Sequence, residues 1–254
     1  MAAKPPPSPP AVVCEVPDGL GIIELTGDAG ASLLALAGDP VLLEGNDGFG
    51  SIGWLAARAG ARAPGTGEVK ALTEWLGCPD LAVDPVTGHH LPPDPQRLRP
   101  LLTLLAPGRY VMTARQAPHR LRIVHPRGHA VEQWYPEEDF ALLTTDHWPP
   151  RHEAAVRDHT RRIRGGGLPA LVVLCPTPDS LTGYLLDGHH KLAAYHRAGV
   201  RPLILQLTPQ QPKPFHREDY ERARAAFLAD RPDRERDSLG GVLAYIRDEA
   251  RHVS

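Results

Sequence analysis

Apolar residues fall into short runs at 11–14, 21–25 and 41–43, parted by stretches bearing glycine and proline. This is the pattern of short strands bounded by turns. The spacing of apolar positions predicts a helix over 32–37 and another over 52–59. Residues 80–100 are rich in Pro, Asp and His with little periodicity, and read as a long surface connection. A helix-like stretch follows at 98–105. Residues 110–112, 121–124 and 130–134 then read as strands with Pro126-Arg127-Gly128 as a hairpin turn, so an antiparallel meander is expected.

Beyond residue 145 the period changes. A helix over 153–164 ends at three glycines, a strand follows at 170–175, a short strand at 184–186, a helix at 189–198 and a strand at 203–207. Strand and helix now alternate, as in α/β architectures. From residue 211 two amphipathic helices are expected, one with Tyr220, Ala223 and Phe227 on a face and the other with Leu239, Leu243 and Ile246. Packing of these faces on the chain's own domain is the expected arrangement; a partner-binding arm is the alternative. The fold class is α+β. It divides into a disordered tail at 1–10, an N-terminal α+β region at 11–140, a core at 141–210 and a helical extension at 211–254.

Composition narrows the function. Among 254 residues, 28 basic and 30 acidic side chains leave a formal charge of −2, so no global field draws the chain to nucleic acid or an anionic membrane. Twenty-eight prolines and twenty-four glycines, about a fifth of the chain, exclude a long coiled coil. The Pro-rich start has no apolar stretch for a secretory signal, and no 18-residue apolar run could span a bilayer. Cys14, Cys78 and Cys175 are odd in number and widely separated, which suits neither a disulfide framework nor a closed zinc site. A soluble protein of a reducing cytoplasm is expected.

The most informative segment is Tyr184-Leu185-Leu186-Asp187-Gly188-His189-His190-Lys191-Leu192-Ala193-Ala194-Tyr195, which passes from a buried strand through a sharp turn at Gly188 into a helix. A helix start there presents backbone N–H groups and the positive end of the dipole, Gly188 lets backbone approach a ligand, and His190 and Lys191 add donors. That chemistry suits an anion, most simply a phosphate. The order of strand, Asp-Gly-His-His-Lys, helix, Gly199 and strand resembles the nucleotide-binding core of the ParB/sulfiredoxin superfamily. Upstream, Pro150-Arg151 before a helix, then Gly165-Gly166-Gly167-Leu168-Pro169 before a strand, follows the same family order. The similarity covers residues 145–207.

Branches of that superfamily differ at the signature. Sulfiredoxins carry a reacting cysteine where this chain has His189, and the partitioning proteins carry two arginines and a following DNA-reading helix-turn-helix that are absent here. The signature is most similar to the Asp-Gly-His-Thr-Arg of free-serine kinases. The resemblance implies phosphotransfer from ATP or ADP to a small hydroxylated acceptor. By it, Asp187 holds the substrate or a magnesium ion, Gly188, His189 and His190 cradle phosphates, and Lys191 and Arg151 add positive charge. Those kinases take their base from a Pro-Thr-Glu segment that Trp148-Pro149-Pro150-Arg151-His152-Glu153 lacks, which leaves Glu153 as the catalytic candidate. The alternative is a non-catalytic or regulatory module binding CTP or ATP, with an association with DNA.

Three weaker signals complete the reading. Gly48-Phe49-Gly50-Ser51-Ile52-Gly53 has dinucleotide-turn spacing, but no strand ending in an acid follows about twenty residues on, and an ordinary glycine loop is expected. His189 and His196 lie two turns apart, about 10.5 Å, too far to share an ion. Arg157, Arg161 and Arg164 share a helix face, read as solvated, with phosphate contacts as the alternative.

Overall fold

A computed structural model describes residues 10–28, 30–46, 53–57, 81–125, 131–134, 140–145, 148–229 and 231–250. The elements run β1 (Ala11–Val16), β2 (Ile23–Gly27), β3 (Ala31–Leu36), β4 (Asp39–Asn46) and β5 (Gly53–Ala57), then a 3-10 turn (Pro95–Leu98) leading into the single-turn helix α1 (Arg99–Leu102). Next come β6 (Gly108–Gln116), β7 (Leu121–Val124), β8 (Val131–Trp134), β9 (Phe140–Thr144), α2 (Glu153–Arg164), β10 (Leu171–Leu174), β11 (Thr182–Asp187), α3 (His189–Ala198), β12 (Leu203–Pro209), α4 (Arg217–Ala229) and α5 (Asp233–Ala250). The architecture is mixed α+β.

Two sheets lie in the middle of the molecule. The larger has the order β1-β6-β12-β10-β11-β9-β7 and the smaller β2-β3-β4-β5-β8. Helices α2 and α3 cover one face of the larger sheet through Val156, Ile163, Leu192 and Tyr195 against Leu171, Val173, Leu185 and Ile204. Its other face, with Val172, Leu174, Tyr184 and Leu205, packs on Leu34, Leu36, Leu42 and Leu55 of the smaller sheet. The smaller sheet's far face is covered by α4 and α5, where Tyr220, Ala223, Phe227, Leu239, Leu243 and Ile246 meet Leu33, Leu43 and Ala56. The two C-terminal stripes thus pack on the chain's own sheet. Strands β1, β6 and β7, all from before residue 141, share the larger sheet with β10, β11 and β12, so one core spans the boundary read from sequence. No described helix is long and apolar enough to cross a membrane.

Burial on both faces explains the two helices that the sequence pattern suggested wrongly. In place of the helices expected over 32–37 and 52–59, the described residues form β3, Ala-Ser-Leu-Leu-Ala-Leu, and β5, Gly-Trp-Leu-Ala-Ala; residues 52, 58 and 59 lie outside the described residues. A strand covered on both sides needs apolar residues at consecutive positions, which erases the alternation that marks a strand. The stretch at 98–105 is helical only to Leu102, because the carbonyls of Leu104 and Leu105 accept the N–H groups of Ile23 and Gly21 at 2.7 and 3.1 Å. Nor is there a meander. Strand β6 lies between β1 and β12, β7 is parallel to β9 at the sheet edge, and β8 joins β5 in the other sheet. A nine-residue strand with Tyr110, Met112 and Ala114 in the core is buried between two partners, and these come from distant segments. The tail at 1–9, residues 48–52 of the glycine loop, Cys78 and the Pro126-Arg127-Gly128 turn lie outside the described residues.

One carboxylate stands inside the apolar sandwich. Glu44 on β4 is fully buried and accepts hydrogen bonds from Ser32 Oγ at 2.9 Å and Asn46 Nδ2 at 2.6 Å. Tyr184 of β11 reaches across between the sheets, donating to the Ser32 carbonyl at 3.0 Å with its hydroxyl 2.8 Å from Ser32 Oγ. Loss of hydration outweighs these donors and pushes the Glu44 carboxyl up to about 7. The folded chain therefore binds this proton more tightly than the unfolded one, so the associated stability is complete below pH 4.5 and is lost as pH rises through about 7. Urea unfolding at pH 5 and pH 8 should show Glu44→Gln gaining roughly 2–3 kcal/mol relative to the parent over that interval. Parallel profiles for the two proteins would show that Glu44 is ionised in the fold.

Candidate functional site

The chain leaves the larger sheet at the end of β11 and crosses over β10 to reach β12, with α3 as the crossover. Gly188 forms the joint with φ 108°, and no side chain caps the helix start. The left-handed backbone turns the strand directly into the helix, whose first bond runs from Leu192 N–H to the Gly188 carbonyl at 2.7 Å. A Cβ at Gly188 would stand 2.8 Å from Leu171 Cδ2 and 3.4 Å from Leu171 Cα. The strand beneath therefore demands glycine, independent of any ligand above. At the other end Gly199, φ 67°, closes α3 with its N–H on the His196 carbonyl.

Lys191 folds back over this joint. Its Nζ donates to Asp187 Oδ2 at 2.6 Å and to the Ala170 carbonyl at 3.4 Å, with side-chain exposures of 9% for Lys191 and 16% for Asp187. Tyr195, one turn on, donates to the Pro169 carbonyl at 3.1 Å. The two side chains staple α3 to the start of β10. The unfavourable position of a lysine in a first turn is thus offset by a nearly buried ion pair, and the ammonium that the resemblance gives to phosphate is engaged with Asp187.

The groups above the joint come from α2. His190 is half-buried, and its ring meets that of His152 edge to face with centroids 6.0 Å apart. His159, two turns into α2, lies where burial first, then the positive charges of Lys191, Arg162 and His190, push its imidazole below the ordinary histidine value against the opposing pull of Asp187. It is neutral at pH 7 and able to accept a proton. Among the residues expected from sequence, Asp187, Gly188, His190 and Lys191 are together at the turn, and His189 is buried beside them. Glu153 is not with them: its carboxylate pairs with Arg197 at 2.5 and 3.2 Å on the exposed surface, and the guanidinium holds it below the usual carboxylate range. Arg151 is exposed ahead of α2.

Sequence reading missed His159, although His152, which precedes α2, and His159 within it stand seven apart and so on one edge of that helix. Among the described residues, no three His, Cys, Asp or Glu side chains converge to hold an ion. Cys14 and Cys175 are buried and unbridged, and burial pushes the Cys175 thiol up to about 12, outside nucleophilic range. No family model, curated protein or solved structure matches this chain.

Removing one member of a buried pair strands the other's charge. Lys191→Met should cost about 3 kcal/mol, a fall in Tm of roughly 6–12 °C for a chain of this length. The double variant Asp187→Asn/Lys191→Met should recover part of that loss. Thermal denaturation of the parent, of Lys191→Met, of Asp187→Asn and of the double variant measures the coupling, and additive effects would show that the pair contributes nothing.

Proposed function

We propose that the turn between β11 and α3 holds the phosphates of a nucleotide, and that the chain is a ParB/sulfiredoxin-like protein passing a phosphoryl group from ATP or ADP to a small hydroxylated acceptor. The observation that carries this reading is the left-handed Gly188 joint at the head of α3, which carries no side-chain cap, begins a helix with His190 in its first turn, and lies within the electrostatic reach of His159 through Asp187 and Lys191. A helix start with flanking imidazoles suits an anion with ionisable oxygens.

In this reading His159 replaces Glu153 as the base. The acceptor hydroxyl gives its proton to the imidazole as its oxygen bonds to the terminal phosphorus, while the bond from that phosphorus to the bridging oxygen breaks and the shortened nucleotide leaves. Stabilisation of the transferred group falls to His190 and the first amides of α3. Asp187 is the carboxylate at the turn, and its Oδ2 is held by Lys191. Asp187 is the residue at the turn that would hold a magnesium ion, and such an ion would supply charge neutralisation for the phosphates. A second reading, a regulatory module that binds CTP or ATP without turnover, is favoured by the commitment of Glu153 to Arg197.

Thermal shift and calorimetry with ATP, ADP, CTP and GTP in magnesium test binding. One nucleotide should stabilise the fold by about 2.7 kcal/mol at a hundred times its Kd, and His190→Ala should weaken it about tenfold. No stabilisation by any of the four would refute the nucleotide reading. For turnover with hydroxylated acceptors, His159→Gln should retain binding and lose phosphotransfer. The parent's rate should rise with pH through a midpoint below 6.5, the ordinary histidine value that His159 has shifted under. Binding without any phosphorylated product would select the regulatory module.

A further inference from the structure

Helix α2 has a second functional edge. At 3.6 residues per turn Arg157, Arg161 and Arg164 fall within about 60° of one another, whereas His159 lies about 160° from Arg157. The arginines therefore stand across the helix from the imidazoles at the turn. They line a cleft of about 360 Å³ with Thr160 and with Arg197 from α3. Two of the four guanidiniums have carboxylates, Arg161 with Asp158 at 3.3 Å and Arg197 with Glu153. Arg157 and Arg164 have no carboxylate oxygen within 4.0 Å among the described residues. The dipole of α2 accounts for Arg161 and Arg164, which stand in its last turn. Glu153 pairs with Arg197 and its charge is also felt by Arg157 one turn on, but Glu153, Asp158 and the dipole do not balance four guanidiniums around one cleft.

We propose that this cleft binds a small polyanion carrying two or three linked phosphoryl groups. The volume is near the lower end for small-molecule pockets, and a planar guanidinium offers paired donors that match phosphoryl oxygens. Two guanidiniums two turns apart, neither in a close ion pair among the described residues, suit an anion with more than one charged group. A formal charge of −2 for the whole chain gives no field for a long nucleic acid, which favours a compact ligand. The site is independent of the turn at Gly188 and goes beyond the nucleotide reading.

Calorimetric titration with inorganic pyrophosphate and tripolyphosphate tests it on the full chain. Tripolyphosphate should bind, more tightly than orthophosphate. Arg157→Ala and Arg164→Ala should each weaken it about ten- to a hundredfold, and His190→Ala should leave this site unchanged. Alanine is the best helix former, so α2 should persist, and far-UV circular dichroism checks this; Arg164→Glu should abolish binding. The proposal fails if tripolyphosphate does not bind, if the arginine variants bind it as the parent does, or if His190→Ala alone removes binding, which would move the anion to the turn. It also fails if a single-stranded oligonucleotide binds through these arginines while tripolyphosphate does not.

Discussion

Burial of the seven-stranded sheet on both faces is the constraint on which the rest of the structure depends. With α2 and α3 on one side and the smaller sheet on the other, β10 is apolar throughout, and β11 and β12 carry consecutive apolar side chains at 184–186 and 203–205. A polar group inside such a sandwich has no water and must be met by protein donors. Glu44 meets Ser32 and Asn46, and Ser32 in turn meets Tyr184 from the facing sheet. That small network is the polar seam between two apolar layers. Chemistry that needs solvent is pushed to the ends of strands, where the chain leaves the layers.

The joint after β11 is one such end, and its geometry follows from the strand beside it. Because β11 and β12 are separated by β10, α3 has to cross directly over Leu171. Gly188 permits both the left-handed turn and the close approach. Asp187 and Lys191 then lie one helical turn apart over the same strand and neutralise each other. Their pairing secures the crossover, and the solvent-facing chemistry passes to His190 and to the α2 side chains above it.

Helix α2 sorts its ionisable groups by edge. His159 lies against α3, where desolvation and neighbouring cations keep it neutral. Glu153 and the arginines stand on the exposed side, where charge is solvated and the carboxylate is held ionised by Arg197. A carboxylate so stabilised is a weak base, and the partly desolvated imidazole among cations has its charged form disfavoured. One amphipathic helix thus separates an edge with a neutral imidazole from an edge of solvated charges.

The sequence by itself determined what depends on neighbours along the chain. The bounds of α2 and α3 and the stop at Gly199 were legible, because glycines and a 3.6-residue apolar period act within a few residues of where they stand. So was the joint at Gly188, and so were the apolar stripes of α4 and α5. Tertiary structure decided the rest. Residues 31–36 are a strand because they are covered on both faces, a fact that six consecutive small and apolar residues do not disclose. Strands β6, β7 and β8 part to four different partners, none of them one another, because pairing is settled by which edges the core buries, at separations that no local turn encodes. Glu153 and His159 share a helix, yet their protonation was decided by what lies across from each, Arg197 for one and the Gly188 joint for the other. Proton affinity depends on solvation and on charge through space, and neither is a property of position along the chain.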